Sequence, residues 1–361
     1  MPQISVVMTV YNGALYLKEA IDSVLNQTSR DFEFIIVDNH SSDKTVEIIK
    51  SYQDPRIILI ENPQNLGQTK ALNVGMRRAQ AAYIARMDAD DICDPTRFAL
   101  QYEFLKRNFS VVVVGSWCID INTQGKQMNV FKAPMDPMEI RASLAGSGDL
   151  TSWCISHPTA MMRRDALEAV GFYNENAPFS GYPQDYDLWS RLALKEYQFA
   201  NIPAPLLKYR VLAVSESRGP DDQLLRFRLD ISRQKVRHYQ PSLAQARLEN
   251  LAHMLEYQRL PFPGEVKYLW TDFDQYFRAF MTDNCPVQLV EALRDQLKFY
   301  YLPILFKTHK LLSLSTFFLL CILRPGFIFD KKFYRKIIKV FLNSVLSGPR
   351  YSALKRKLAL R

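Results

Sequence analysis

The stretch "YIARMDADDICDP", residues 83–95, begins as an apolar strand and continues into three carboxylates within four positions, Asp88, Asp90 and Asp91. Like charges about 4 Å apart repel by about 4 kcal/mol at an effective dielectric near 20. Such a group is stable only when water solvates it or when a cation lies among its oxygens. A solvated turn and a cation site are therefore the two interpretations, and the rest of the sequence decides between them.

Short apolar runs rich in β-branched residues recur through the first 115 residues and are typical of strands covered on both faces. They are residues 4–10, 33–38, 57–61, 83–88 and 111–115. Helical patterns alternate with them, and the first helical pattern has one apolar stripe, formed by Leu17, Ile21, Val24 and Leu25. This alternation predicts an α/β fold, a mostly parallel sheet flanked by helices on both faces.

Polar clusters follow four of these strands: "TVYNG" (9–13), "VDNHSSD" (37–43), "NPQNLGQT" (62–69) and "MDADD" (87–91). Ligands of parallel sheets gather at the carboxyl ends of the strands, so four such ends on one edge predict a single cleft. Turn formation alone explains about half of these residues. It does not explain Asp88 and Asp90, which follow an apolar strand directly.

An Asp-x-Asp sequence after a strand suits Mg²⁺ or Mn²⁺, because these hard cations take oxygen ligands, some of them from phosphates. Alone the pattern is weak, but other motifs accompany it in order along the chain. They are "SVVMTVYNG" (5–13), "FIIVDNHSSDKT" (34–45), "NLGQTKALNVG" (65–75), "YIARMDADD" (83–91), "SHPTAMMRRDAL" (156–167) and "YPQDYDLWSRL" (182–192). Together they resemble the family 2 glycosyltransferases of the GT-A fold, over about residues 3–210.

The resemblance implies a nucleotide-binding half joined to an acceptor-binding half, and metal-dependent, inverting transfer from a nucleotide-diphosphate sugar. It implies a role at the nucleotide for six residues, namely Thr9, Tyr11, Asn12, Asp38, Lys70 and Asp88. Within this set Asp38 reaches the base, and Asp88 contacts the ribose or belongs to the metal shell. Asp90 ligates the Mn²⁺ or Mg²⁺ ion.

In the second half, Asp185 of "PQDYDLW" matches the family's catalytic base. A carboxylate with a pKa near 4 cannot deprotonate an alcohol in advance, so we expect proton transfer to come late, as the new bond forms. His157, Gln184 and Trp189 are weaker candidates for positioning the acceptor, and a lone His near a turn is more often structural.

The sequence departs from the family at two places. Gln184–Asp185 stands where members commonly have an acidic pair, which keeps the base but alters its surroundings. Asn39–His40 stands where members commonly have Asp-Gly, in a loop that borders the nucleotide.

Charge is uneven along the chain, whose formal net charge is +9. Residues 301–361 hold thirteen Lys and Arg against one acid, a charge of +12, which leaves −3 on the rest. The stretch 331–345, "KKFYRKIIKVFLNSV", has the pattern of a basic amphipathic helix. Its apolar stripe is formed by Phe333, Ile337, Val340 and Phe341, and its basic side by Lys332, Arg335, Lys336 and Lys339. This tail either lies on an anionic membrane surface or packs on the body or in a dimer. Nucleic acid ranks below both, since no base-reading module accompanies the cations.

Location follows from what the sequence lacks. Its five cysteines are scattered without a C-x-x-C pair, which favours a reducing cytosol over a disulfide framework or a zinc site. The start of the chain does not read as a secretory signal. The longest apolar run, 311–323, is shorter than the roughly 20 residues of a membrane span. We expect a cytoplasmic protein, with the inner face of the membrane as its location if the tail binds lipid.

The sequence thus predicts a glycosyltransferase domain at 1–218, divided at 115/116 into nucleotide and acceptor halves, and a helical C-terminal region at 219–361. The hypothesis is transfer from a nucleotide sugar, UDP-linked by expectation, to a hydroxyl of a glycan or lipid-linked acceptor in surface polysaccharide or glycolipid synthesis. A sugar nucleotidyltransferase and a non-catalytic assembly protein with a degenerate fold are the rivals. The first usually has a Gly-rich phosphate loop after its first strand, where this chain has a single Gly. A dehydrogenase lacks support because no G-x-G-x-x-G is present.

Overall fold

The computed structural model describes residues 1–145, 154–176, 184–212, 221–256 and 268–281, together with 261, 265, 288, 290 and 291. The chain forms two compact units, Met1–Ile231 and Ser232–Arg361. The predicted domain boundary at 218/219 lies a few residues before helix α8 (Asp221–Tyr239), and the division between the units falls within that helix.

Four parallel strands form one side of the sheet: β1 (Ile4–Val10), β2 (Phe32–Asp38), β3 (Ile57–Glu61) and β4 (Tyr83–Asp88). Their spatial order is β3-β2-β1-β4, and each neighbouring pair is parallel. All seven residues of β2 are buried, as expected for a strand covered on both faces. Four of the five predicted strands are therefore confirmed here, and their carboxyl ends lie on one edge. The fifth predicted run, 111–115, forms the start of a longer strand in the second half of the domain.

Three helices connect these strands, namely α1 (Ala14–Leu25), α2 (Thr45–Lys50) and α3 (Gln68–Arg78), and a fourth, α4 (Arg97–Arg107), follows β4 along the chain. The predicted stripe of α1 faces the core, since three of its four residues are fully buried and Leu25 is partly buried. The apolar spacing thus orients α1 and leaves its amino end beside the loop that follows β1.

The sheet continues beyond β4 with β8 (Met161–Arg163), β6 (Val111–Ile121), β9 (Gln198–Arg210) and β5 (Ile92–Cys93), and β7 (Gln127–Phe131) pairs with β6. Strand β8 is antiparallel to both β4 and β6, whereas β9 is parallel to β6. The nine-stranded sheet is therefore mixed, with its all-parallel part in the first half.

The helices of the second half are α5 (Pro137–Ala145), α6 (Arg164–Ala169) and α7 (Gln184–Leu194), and a short 3-10 turn spans His157–Thr159. The motif at 156–167 ends within α6, and the motif at 182–192 covers most of α7. Helix α7 begins at Gln184, so it places Asp185 in its first turn.

The second unit contains residues 232–239 of α8, together with α9 (Gln245–Leu255) and α10 (Leu269–Phe280). Aromatic packing joins α8 to α10, where Tyr239 contacts Tyr276 and Phe280, and an ion pair joins Arg247 of α9 to Asp272 of α10. The basic tail and the apolar run at 311–323 lie outside the described residues. Within the part of the chain that is described, no helix combines the length and apolarity needed to cross a membrane.

Gly75 allows α3 to lie close against the sheet. A Cβ at this position would lie 2.6 Å from Val7 Cγ1 and 3.2 Å from Val37 Cγ2, and both valines are fully buried. This close approach fixes the height of α3 above β1 and β2, and with it the position of the first turn of α3 beside the strand ends.

We expect Gly75→Ala to lower the free energy of unfolding by about 1–3 kcal/mol, because the added methyl overpacks this contact. The expectation holds although Ala is the better helix former by about 1 kcal/mol. Urea unfolding of Gly75→Ala, Val7→Ala and the double variant measures the effect. The double variant should lose less stability than the sum of the single variants, since Val7→Ala removes the atom that clashes. A stabilised Gly75→Ala protein would contradict the packing.

Candidate active site

The three carboxylates lie at and just beyond the carboxyl end of β4. Each of Asp88, Asp90 and Asp91 has a ligand oxygen within 4.8 Å of the others. Asp91 is fully buried, while Asp88 and Asp90 are partly buried. Water therefore does not fully solvate the group, and the interpretation as a purely solvated turn does not hold.

Crowding changes the ionisation of this group. Burial, and after it the charge of Asp88, raises the pKa of Asp90 to about 6. Burial and the charges of Asp88 and Asp90 raise the pKa of Asp91 well above its usual range. Asp91 Oδ2 is buried and accepts no hydrogen bond from the described residues. An unpaired acceptor among crowded carboxylate oxygens is a donor set that fits a hard divalent cation.

Arg86 is a component of the site that the sequence reasoning missed. Its Nη1 donates to Asp88 Oδ2 at 2.5 Å, and the residue is only 3% exposed. Side chains two positions apart on a strand share a face, so a cation inside an apolar strand and two residues before the first carboxylate was the available signal. The ion pair occupies Asp88 Oδ2 and leaves Asp88 Oδ1 outside it. It also places a buried positive charge next to the three carboxylates.

The loop after β1 lies next to the carboxylates. Thr9 is the register partner of Asp88 across the β1–β4 pair, and it is partly buried. Asn12 has a φ of 50° and accepts a hydrogen bond from Ser42 N at 2.8 Å, while Tyr11 is exposed. The structure thus brings Thr9 beside Asp88 and leaves the Tyr11 ring at the surface of the same edge.

The loop after β2 supplies a second unpaired acceptor. Asp38 is 2% exposed, its Oδ2 accepts from Ser41 N at 3.1 Å, and its Oδ1 has no partner among the described residues. His40 has a φ of 70°, the left-handed region that favours glycine, which explains why the family commonly has Gly here. Asn39 Oδ1 accepts from Asn62 Nδ2 at 3.0 Å, so this loop is tied to the one after β3.

Gln184 links α7 of the second half to α3 of the first half. Its Oε1 accepts from Thr69 Oγ1 at 2.7 Å, and its Nε2 donates to Gln68 Oε1 at 2.6 Å. The departure from an acidic residue therefore has a structural consequence, since an amide can both accept and donate at this junction. Lys70, the next residue of α3, is exposed beside it.

Asp185 is partly buried next to this junction. Burial raises the pKa of Asp185, and a hydrogen bond from Tyr186 N and the charge of Arg86 oppose the shift. Burial also raises the pKa of the Tyr173 phenol, to which the charges of both Asp185 and Asp88 contribute. The charges of Asp185 and Asp88 thus both act on Tyr173, although the two residues come from opposite halves of the domain.

His157 and Trp189 lie inside the second half. His157 Nε2 is 2.7 Å from Tyr173 Oη, and its ring packs edge-on against Trp189, which packs in turn against Phe199. Burial lowers the pKa of His157 well below its ordinary value, so its imidazole is neutral at pH 7. Both side chains are buried, and a direct contact with an acceptor stays a prediction.

Similarity to known proteins defines the class. Residues 5–171 match the model of Glycosyl transferase family 2. MJ1057, an uncharacterized glycosyltransferase of Methanocaldococcus jannaschii, is 38% identical over 214 residues, which are 58% of this chain and 71% of that protein. The O-antigen biosynthesis glycosyltransferase WbnJ of Escherichia coli is 31% identical over 217 residues, 58% of this chain and 79% of that protein. The chain belongs to glycosyl transferase family 2 and is a glycosyltransferase.

Solved structures agree on the fold. Residues 1–349 of Staphylococcus aureus TarS, crystallised with UDP-GlcNAc, superimpose with a TM-score of 0.54 at 18% identity, covering 87% of this chain and 91% of that one. The chain spans about half, 52%, of the longer TarS structure that it also matches. The GT-A fold predicted from the motifs is confirmed, and the C-terminal region is helical over 221–239, 245–255 and 269–280 of its described residues.

We expect Asp90→Asn to raise the free energy of unfolding of the metal-free protein by about 1–2 kcal/mol at pH 7.5, because it removes one of three crowded charges. The same variant should lose the thermal stabilisation that Mn²⁺ gives the wild type. Differential scanning calorimetry with and without Mn²⁺ measures both effects.

Asp31→Asn is the matched control. It removes the same charge from an exposed residue just before β2, at the opposite end of that strand from Asp38, and should change neither quantity. An unchanged Mn²⁺ response in Asp90→Asn would remove Asp90 from the cation site.

Proposed function

We propose that the protein is a metal-dependent, inverting glycosyltransferase that moves a sugar from a nucleotide diphosphate to a hydroxyl group of a glycan or lipid-linked acceptor. The observation that carries this proposal is the group of three carboxylates with oxygens within 4.8 Å of one another. The group lies at the edge of the sheet that Asp38 shares. The charges of Asp88 and Asp185 both act on the Tyr173 phenol, so the group is also within electrostatic reach of the side chain that Asp185 affects.

The donor set supports a divalent cation held by Asp88 and Asp90, with Asp91 Oδ2 as a further unpaired oxygen. Mn²⁺ and Mg²⁺ both accept such ligands and keep positions for phosphate oxygens. The ion would neutralise the charge that develops on the leaving diphosphate.

The residues at the ends of β1 and β2 would hold the nucleotide. Asp38 has a buried, unpaired oxygen that can accept an N–H from a base, and Thr9 and Asn12 border the same edge. Lys70 is exposed in the first turn of α3, where its ammonium can approach a phosphate. A UDP-linked donor is supported by the likeness to TarS, which was solved with UDP-GlcNAc.

Asp185 would accept the proton of the acceptor hydroxyl while its oxygen attacks the anomeric carbon from the face opposite the diphosphate. Such a displacement inverts the configuration at that carbon. The neutral His157 and the Tyr173 phenol, 2.7 Å apart, would keep α7 in place by packing, with no proton transfer of their own.

The acceptor class follows from the relatives. WbnJ is named for O-antigen biosynthesis, and AmsE of Erwinia amylovora, 28% identical to this chain, for amylovoran biosynthesis. We infer a role in surface polysaccharide or glycolipid assembly at the cytoplasmic side of the membrane. Binding of the basic tail to anionic lipid would bring a lipid-linked acceptor within reach.

We expect Asp185→Asn to keep the nucleotide affinity within about twofold and to lower the transfer rate at least about 100-fold, because the isosteric amide cannot take a proton. Calorimetry with UDP and Mn²⁺, and transfer assays with a panel of nucleotide sugars, measure the two quantities. Asp31→Asn again serves as the control. An unchanged transfer rate would exclude Asp185 as the base, and UDP binding that ignores Mn²⁺ would favour a non-catalytic scaffold.

The raised pKa of Asp185 gives the transfer rate a pH dependence. A base must be ionised, so the rate falls as the pH drops through the folded-state pKa of this carboxyl, which burial places above the ordinary value of about 4. We expect kcat/KM, measured at saturating Mn²⁺, to fall on the acidic side with a midpoint clearly above pH 4, and to be constant toward pH 8. A rate that persists unchanged down to pH 4 would contradict the burial of the base.

A further inference from the structure

Arg210, the last residue of β9, contacts the turn that holds the carboxylates. Its backbone N donates to Asp91 Oδ1 at 2.8 Å, and its Nε donates to the carbonyl oxygen of Asp90 at 2.8 Å. Strand β5 pairs antiparallel with β9, with Ile92 opposite Lys208, so the register places Arg210 opposite Asp90. One residue thus binds the main chain of the second carboxylate and the side chain of the third.

The rest of the guanidinium is anchored in other elements. Nη2 donates to Glu19 Oε2 of α1 at 2.5 Å, and Nη1 donates to the carbonyl oxygens of Asn122 and Thr123, both at 3.3 Å. The guanidinium carbon lies 4.2 Å from the centre of the Tyr16 ring. With 3% exposure, the side chain is enclosed by these contacts.

We propose that Arg210 is the positioning residue for the cation site: it fixes the turn at Asp90 and Asp91 so that their oxygens converge on one ion. The inference rests on the proposed metal-dependent function and adds a residue to it. Arg210 itself touches neither substrate nor ion, because its donors are already used by protein acceptors.

The contacts require a guanidinium. Its planar fork donates to the Asp90 carbonyl, to Glu19 and to the Asn122–Thr123 turn at the same time, in fixed relative directions. An ammonium has the same charge but concentrates its donors on one atom, so a lysine could satisfy one of these sites and would release the others. Loss of partners that orient metal ligands commonly lowers metal affinity about 10–100-fold.

The test is Arg210→Lys, which keeps the charge and the backbone N–H but removes the fork. We expect the Mn²⁺ concentration for half-maximal UDP binding and transfer to rise at least about 10-fold, with kcat at saturating Mn²⁺ within about threefold of the wild type. If Arg210 only stabilised the fold, the variant would contain fewer active molecules, so kcat would fall while the Mn²⁺ dependence stayed the same. That result would overturn the proposal.

Arg163→Lys is the matched control. Arg163 also donates to backbone carbonyls, those of Val111 and Leu105, and also lies over an aromatic ring, that of Tyr83, but it belongs to β8 and does not contact the carboxylate turn. We expect it to lower stability without changing the Mn²⁺ dependence.

A readout without metal separates this proposal from the proposed function. Hydrogen exchange of the amides at 89–91 in the metal-free protein should be at least about 10-fold faster in Arg210→Lys than in the wild type or in Arg163→Lys. If Arg210→Lys does not fold, the same measurement is made on Glu19→Gln, which loosens the guanidinium from its outer side. Unchanged exchange would overturn the positioning role. If exchange rises but the wild type binds no Mn²⁺, Arg210 orders the turn at Asp90 and Asp91, but the cation site and the metal-dependent function are overturned.

Discussion

Electrostatic repulsion among three carboxylates is the constraint on which the site depends. Their oxygens lie within 4.8 Å of one another at the end of β4, so each pair of full charges there would repel by at least about 3.5 kcal/mol at an effective dielectric of 20. Arg86 offsets part of this repulsion through its ion pair with Asp88, and Arg210 donates hydrogen bonds to the turn that carries Asp90 and Asp91. In the proposed function, the remaining repulsion would favour binding of a divalent cation, so the site would be less stable without metal and would gain affinity for the ion.

The sheet explains how distant parts of the chain meet at this group. Strand β4 pairs with β1 on one side and with β8 on the other, so it borders both halves of the domain. The parallel register on the first side places Thr9 beside Asp88. Gln184 ties the start of α7 to the start of α3 and thereby holds Asp185 near the same edge. The proposed nucleotide and acceptor sites share one wall because one continuous sheet supports both.

Sequence patterns predicted the parts of this architecture that repeat locally. Apolar runs gave β1 to β4, the stripe of α1 gave its buried face, and the ordered motifs gave the carboxylates and Asp185 as candidates. Strand β8 has only three residues, too few to show a period, so the mixed character of the sheet could not be foreseen. Arg210 meets Asp90 across 120 positions of sequence through a strand register, and no local pattern encodes such a contact. The positive φ of His40 likewise appears only once the backbone is known.

The most direct test of the cation site is the position of the ion itself. Crystals grown with Mn²⁺ and UDP, measured at the manganese absorption edge, locate the metal without reference to activity. The account predicts one strong anomalous peak within coordination distance, about 2.0–2.3 Å, of carboxylate oxygens of Asp88 and Asp90. A peak bound by other residues, or nucleotide in the cleft with no manganese beside these carboxylates, would contradict it.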